Sequence, residues 1–243
     1  MWGRVGAAIA AAALAGCGLG GPARVISAVP GDSTAIAVID LERLRAAPAY
    51  GRLPAAMKAL AQPLSGVKQM AVSWNGRDLL LLAAGFSEPP AGYTAIGKGI
   101  AAAGPAGRIE AARATLATKA LPRLELPQGT GEVRAAIRGD GRLPLADNLA
   151  NAGTLLSMAS SSTLMAHVEN AVELELTALS ASSAQALQLE ESLRAMLTLG
   201  AAGTKDAELA ALLRDVRIQR ENMLVRVNVI ASPDSLAKAL GTP

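Results

Sequence analysis

Two apolar runs, 67–74 and 79–85, flank Asn75-Gly76-Arg77-Asp78, and this arrangement constrains the fold more than any other feature of the chain. Asn-Gly supplies the positive φ angles of a tight turn, so the runs predict two antiparallel strands joined as a hairpin. Leu79-Leu80-Leu81-Leu82 does not alternate with polar residues, which predicts a strand covered on both faces. The core around such strands must be aliphatic: half of the 243 residues are apolar, but only two Trp, two Tyr and one Phe are among them. A single cysteine excludes an intrachain disulfide and a thiolate metal cluster. Packing alone must therefore hold the body together.

The rest of the chain repeats this style. A strand is expected over 34–40 behind Pro30-Gly31-Asp32, then a helix over 41–60 interrupted at Pro48. Residues 93–103 read as a strand or strand pair, 105–119 as an Ala-rich helix with Glu110 and Arg113 on its polar side, and 132–138 as a strand. Gly139-Asp140-Gly141-Arg142 marks a turn into a helical segment over 145–158. Segments 163–169 and 172–179 form a second hairpin around Glu169-Asn170. In its second strand Val172, Leu174, Leu176 and Ala178 oppose Glu173, Glu175 and Thr177, the period of a sheet with one solvated face. Ser182 or Ser183 caps a helix that should stop at Gly200, with Leu189, Leu193, Met196 and Leu197 on one stripe and Glu190 paired with Arg194 outside. A short helix over 206–213, a hairpin of 214–220 with 223–230, and a helix begun by Ser232-Pro233-Asp234 complete the chain.

Hairpins mixed with helices define an α+β fold of antiparallel, hairpin-rich sheets with helices packed on one face of each. The chain divides into two related halves, 32–142 and 143–243. Segments 67–85 and 216–232 share the outline of strand, polar turn, strand and exit.

The first residues follow another logic. Arg4 is a minimal positive n-region, and 5–15 is an unbroken run of small and aliphatic residues. That run is too short to span a bilayer, which needs about 20 residues, but it has the size of a secretory h-region. It ends in Leu14-Ala15-Gly16-Cys17, which closely resembles the lipobox of bacterial lipoproteins. The resemblance implies a signal peptide over 1–16, cleavage between Gly16 and Cys17, and acylation of Cys17. Residues 17–31, rich in Gly, Pro and Ala, then form a lipidated tether. Three acyl chains exceed the two signals that durable anchoring requires. The expected location is the cell envelope facing the periplasm, with Gly18 after the Cys favouring the outer membrane over the inner by analogy. The formal charge of +3 falls to +2 when Arg4 leaves. The remaining Lys and Arg are interspersed with acids, which excludes a nucleic-acid footprint.

No segment carries a recognisable reaction centre. His167, the only histidine, lies inside a strand pattern, and no second His exists to complete a zinc site. Ser160, Ser161 and Ser162 lie near it, but there is no Gly-x-Ser-x-Gly elbow. Gly97-Lys98-Gly99 and Gly129-Thr130-Gly131 read as turns and match no phosphate loop. Asp32, Asp40, Glu42 and Asp78 fall in or beside loops, where a close pair would serve acid–base chemistry. Glu173 and Glu175 read as solvent-side residues opposite Arg217 or Arg226, and Trp74 as a partner contact or strand packing.

The segments 40–50 and 74–83, with 143–151 and 193–199, resemble exported acidobacterial proteins of unknown function, and that likeness extends over most of the mature chain. It implies a coherent exported domain and adds no catalytic residue. The leading expectation is a non-enzymatic, membrane-tethered domain that binds or scaffolds another envelope component, without metal or cofactor. A hydrolase using loop carboxylates and a carrier of an apolar ligand are the alternatives. Two close carboxylates or His167 in a deep pocket would favour the enzyme, a flat apolar patch a protein partner, and an enclosed aliphatic cavity the carrier.

Overall fold

A computed structural model describes residues 25–53, 58, 64–120, 122–139, 141, 154 and 156–239. Gly16, Cys17 and most of the expected helix over 145–158 lie outside them. The described chain is α+β, as its sequence pattern requires. Ten strands form one antiparallel sheet: β1 Ala35–Asp40, β2 Gln69–Trp74, β3 Leu79–Ala84, β4 Thr94–Gly97, β5 Ile100–Ala103, β6 Val133–Arg138, β7 Ser161–Val168, β8 Val172–Leu179, β9 Arg217–Glu221 and β10 Leu224–Ala231. Five α-helices accompany them among the described residues: α1 Leu41–Ala46, α2 Ala106–Thr118, α3 Ser183–Gly203, α4 Ala207–Asp215 and α5 Pro233–Ala239.

The sheet order is β4-β5-β3-β2-β1-β6-β7-β8-β10-β9. Outward from the central β1–β6 pair, each side runs first, second, third, fifth and fourth strand of its half. Strand order is therefore repeated, with the seam between β1 and β6, so that β6 stands with the second half although it precedes residue 142. The counterpart of the β2–β3 hairpin is β7–β8. The expected match of 67–85 with 216–232 is corrected, because β9 is an edge strand and takes the position of β4. Helices do not follow the repeat. α2 packs on the face carrying Ile36, Leu80 and Leu82, whereas Leu236 of α5 packs on the opposite face with Val168 and Val172.

The β2–β3 turn forms differently from the expected tight turn. Gly76 alone takes positive φ, at 94°, while the Asn75 side chain closes the four-residue loop by accepting from the backbone N–H of Arg77 and Asp78. β3 is covered on both faces as its sequence implies. Leu80 and Leu82 are fully buried under α2 and the 3-10 turn Val25–Ala28, and Leu81 and Ala83 join the core beneath α1.

Two helix limits depart from expectation. α1 ends at Ala46, before Pro48, a 3-10 turn follows at Tyr50–Arg52, and most of the remaining expected helix, 54–57 and 59–60, lies outside the described residues. α3 runs through Gly200 to Gly203, and the backbone N–H of Thr204 donates to the Gly200 carbonyl. The gain from burying Ala201 and packing Leu197 outweighs the roughly 1 kcal/mol cost of one helical glycine. Ser182 caps α3 through the Gln185 N–H, and Asp206 caps α4 through Glu208 and Leu209.

Two ion-pair clusters fix the C-terminal helices. Glu190 accepts from Arg194 one turn on and from Arg220 on β9, at 2.9 Å each, tying α3 to the edge strand. Arg194 foremost, then Arg220, holds the Glu190 carboxyl below its ordinary pKa against the opposing effect of burial. Lys238 of α5 reaches Glu208 at 2.6 Å and Asp206 at 3.1 Å, and Ser235 donates to Glu208. Residues Glu173 and Glu175 do not oppose Arg217 or Arg226: Glu173 lies between His167 and Ile230, and Glu175 between Met165 and Asn228.

Candidate functional site

Strand alternation gives the sheet two unlike surfaces, and the site follows from that difference. Leu164, Ala166 and Val168 of β7 and Val172 and Leu174 of β8 point to one face. On the same face lie Ile39 of β1, Met70 of β2 and Val133 of β6. α1 covers this floor with Leu41 and Leu44, the following turn adds Tyr50 and Leu53, and α5 adds Leu236. These groups do not fill the space between them. They surround a cavity of about 250 Å³ whose described lining is aliphatic or thioether apart from Tyr50.

Protein interiors are packed to the density of organic crystals, and an apolar void of about 150 Å³ stays dry and takes up an apolar ligand. Tyr50 is half-buried and borders the cavity. With almost no hydrogen-bond donor along its walls, the cavity suits a hydrocarbon and disfavours a sugar, a nucleotide or a peptide backbone.

Of the four loop carboxylates named from the sequence, Asp32, Asp40 and Glu42 each have a structural partner. Asp40 caps α1 by accepting from the Arg43 N–H, and Glu42 pairs with Lys68 at 3.0 Å. Asp78 closes the β2–β3 loop. Asp32 receives two bonds from Arg108, at 2.6 and 2.8 Å, with Asn75 at 3.5 Å. Burial raises the Asp32 pKa, but the bonds and charge of Arg108 and the contact from Asn75 together leave it below the ordinary aspartate value. Gly97-Lys98-Gly99 forms the β4–β5 turn, and Thr130 of the second glycine pair offers its carbonyl to Arg43. Trp74 ends β2, in register with Ala35 and Leu79, so strand packing accounts for it.

His167 has one acidic neighbour that the sequence did not single out. Glu132, nearly buried just before β6, accepts from the Val168 N–H at 2.9 Å and pairs with Arg43 at 2.8 Å, and its carboxylate lies 3.9 Å from His167 Nδ1. Ser161 shares the face of His167 but lies six residues away along β7, about 20 Å. Ser162 points to the opposite face. The serine run therefore does not assemble with His167 into a triad. Glu132 instead ties α1 to β7 at the margin of the cavity, since Leu41, Leu44 and Val168 all line it. No group of three or more His, Cys, Asp or Glu among the described residues is placed to hold a metal ion. No described helix is long and apolar enough to cross a membrane.

Ser162 and Ser180 are 3% and 2% exposed, and the hydroxyl of each is buried without a hydrogen-bond partner. An unpaired buried hydroxyl carries its desolvation cost in full. Ser162→Ala should therefore stabilise the fold by about 1 kcal/mol, read as a higher urea midpoint with an unchanged slope. A lower midpoint would show that the hydroxyl is satisfied in solution.

A second, more open cleft of about 510 Å³ lies between α3, α4 and β9, bordered by Leu197, Leu213 and Val216 and by Arg194 and Arg214. Its lining is mixed, and Arg194 there is already engaged with Glu190 and the Ile218 carbonyl. The aliphatic cavity is the more specific feature.

No family model and no curated protein sequence matches this chain. Solved structures do. Crystal form III of TP0453 superposes with a TM-score of 0.54 at 11% identity, covering 90% of this chain and 98% of that one. Crystal form IV gives 0.51 at 10% identity, covering 90% and 97%. At such identity the likeness is one of fold alone, and it extends across both halves of the sheet.

Proposed function

We propose that this chain is a lipid-anchored envelope protein, tethered through Cys17, whose folded body is a non-enzymatic binding domain for an alkyl chain. The observation that carries the reading is the aliphatic cavity between the β6–β8 floor and the cover made by α1, Tyr50, Leu53 and Leu236. Its described walls are almost wholly apolar and offer dispersion contacts, which suits a hydrocarbon ligand better than a reacting polar substrate. The lipobox-like Leu14-Ala15-Gly16-Cys17 places the domain beside a membrane, where alkyl chains are abundant. The Glu132–His167 corner supports the hydrolase alternative less well, because Glu132 is engaged by Arg43 and the Val168 N–H.

The test uses the full chain carrying Cys17→Ser, so that no acyl group of its own competes. A fluorescent fatty acid should bind saturably and be displaced by an unlabelled one. Ala166, which lines the cavity floor between Val133 and Leu174, is the place to fill it. Ala166→Phe should weaken binding at least tenfold while circular dichroism stays unchanged. Equal binding by a folded Ala166→Phe variant would move the ligand elsewhere, and absence of any binding would remove the reading.

A further inference from the structure

The sheet face that floors the cavity continues past it. Leu176 and Ala178 follow Leu174 on the same side of β8, and they floor a second cavity of about 100 Å³ roofed by Leu189, Leu193 and Met196 of α3. The floors of the two cavities adjoin on the sheet. Leu164, which lines the first, is the direct cross-strand partner of Leu176, which lines the second. Directly paired side chains stand about 5 Å apart, so this pair of leucines lies where the two floors meet. Leucine side chains change rotamer without disturbing a strand, and Met196 beyond them is unbranched and adaptable.

Resting on the reading that the first cavity takes an alkyl chain, we infer that the ligand is a single long, unbranched chain lying across both cavities along β8. Three observations agree on this. The described lining of the second cavity has no polar side chain, so the continuation suits hydrocarbon as the first does. The floor from Val172 to Ala178 spans six residue steps, about 20 Å, the dimension of an extended long-chain acyl group and not of a compact ligand. Neither cavity alone reaches the roughly 300–1,000 Å³ typical of small-molecule sites, whereas the two together reach its lower end.

The probe is a series of saturated fatty acids of increasing length, titrated against the full chain carrying Cys17→Ser. Affinity should keep rising, by about fourfold per methylene, beyond the length that fills the first cavity. Leu176→Trp, which narrows the passage, should cost long chains at least tenfold and leave short ones unchanged. Val227 on β10 pairs with Leu176 and also lines the second cavity, so Val227→Phe gives an independent block if the tryptophan variant does not fold. A plateau at short length, or equal losses for short and long chains in the folded variants, overturns the two-cavity inference and leaves the single-cavity reading intact. Failure of every chain length to bind overturns both.

Discussion

Asp32→Ala should cost the fold about 3 kcal/mol, lowering Tm by about 6–12 °C. The reason lies in its partner. Arg108 of α2 has a side chain only 5% exposed, whereas Asp32 is 59% exposed and caps the guanidinium from the water side. Arg108 Nη1 contacts both Asp32 oxygens, Nη2 donates to Ser73 at 2.9 Å, and Nε is buried without a partner. Removing the carboxylate leaves a buried cation facing one serine hydroxyl, and stripping one member from a buried pair is the expensive case. Replacing both members with apolar groups is often neutral, so Asp32→Ala with Arg108→Met should recover most of the loss. A loss below about 1 kcal/mol for Asp32→Ala, with no recovery in the double variant, would show that the pair does not hold α2.

The same pair gives the acid limb a sign. The folded-state pKa of Asp32 lies below its ordinary value, so its contribution is present above about pH 4 and is lost as pH falls through the folded value. Asp32→Ala should flatten the stability profile in that acid window and leave its shape near neutrality unchanged.

Much of this architecture is legible in the sequence because it is local. The β2–β3 and β7–β8 hairpins announce themselves through apolar runs and turn residues, and the caps at Ser182 and Ser232 through side chains beside helix starts. What escapes is long-range. Nothing near 133–138 says that β6 returns across the sheet to pair with β1, about a hundred residues earlier. Arg108 reads as an ordinary polar residue of an alanine-rich helix; its burial follows only once β2 presents Ser73 and the preceding loop presents Asp32. Glu132 is likewise unremarkable until Val168 and Arg43 meet it.

The cavity escapes for a related reason. Alternation in β7 and β8 identifies Leu164, Ala166, Leu174 and Leu176 as inward-facing, but the same pattern would describe a fully packed core. The difference is made by the cover. α1 has six residues and presents only Leu41 and Leu44 as buried groups, so it is too short to fill the floor beneath it. Pro48, visible in the sequence as an interruption, stands just beyond the end of that helix at Ala46.

Cys17→Ala should abolish metabolic labelling with palmitate and leave the chain uncleaved at Gly16, so that its mass is that of the full chain with residues 1–16 attached and no acyl groups. The effect is all-or-none, because lipobox processing begins with transfer of the diacylglyceryl group to the thiol and alanine offers no nucleophile. Fractionation alone is a poor readout, since an uncleaved apolar 5–15 run retains some membrane affinity; the label and the mass decide. A labelled variant, or one matured normally, would remove the anchor from the reading. Under the proposed anchoring, the length of the tether gives the anchor its functional sense. Eight residue steps separate Cys17 from Val25, where the described body begins, a reach of at most roughly 30 Å. A domain held that close to a bilayer meets alkyl chains at high effective concentration, so a cavity of modest intrinsic affinity can still be occupied. Release from the anchor should therefore lower occupancy of the cavity in cells while leaving the affinity measured in solution unchanged.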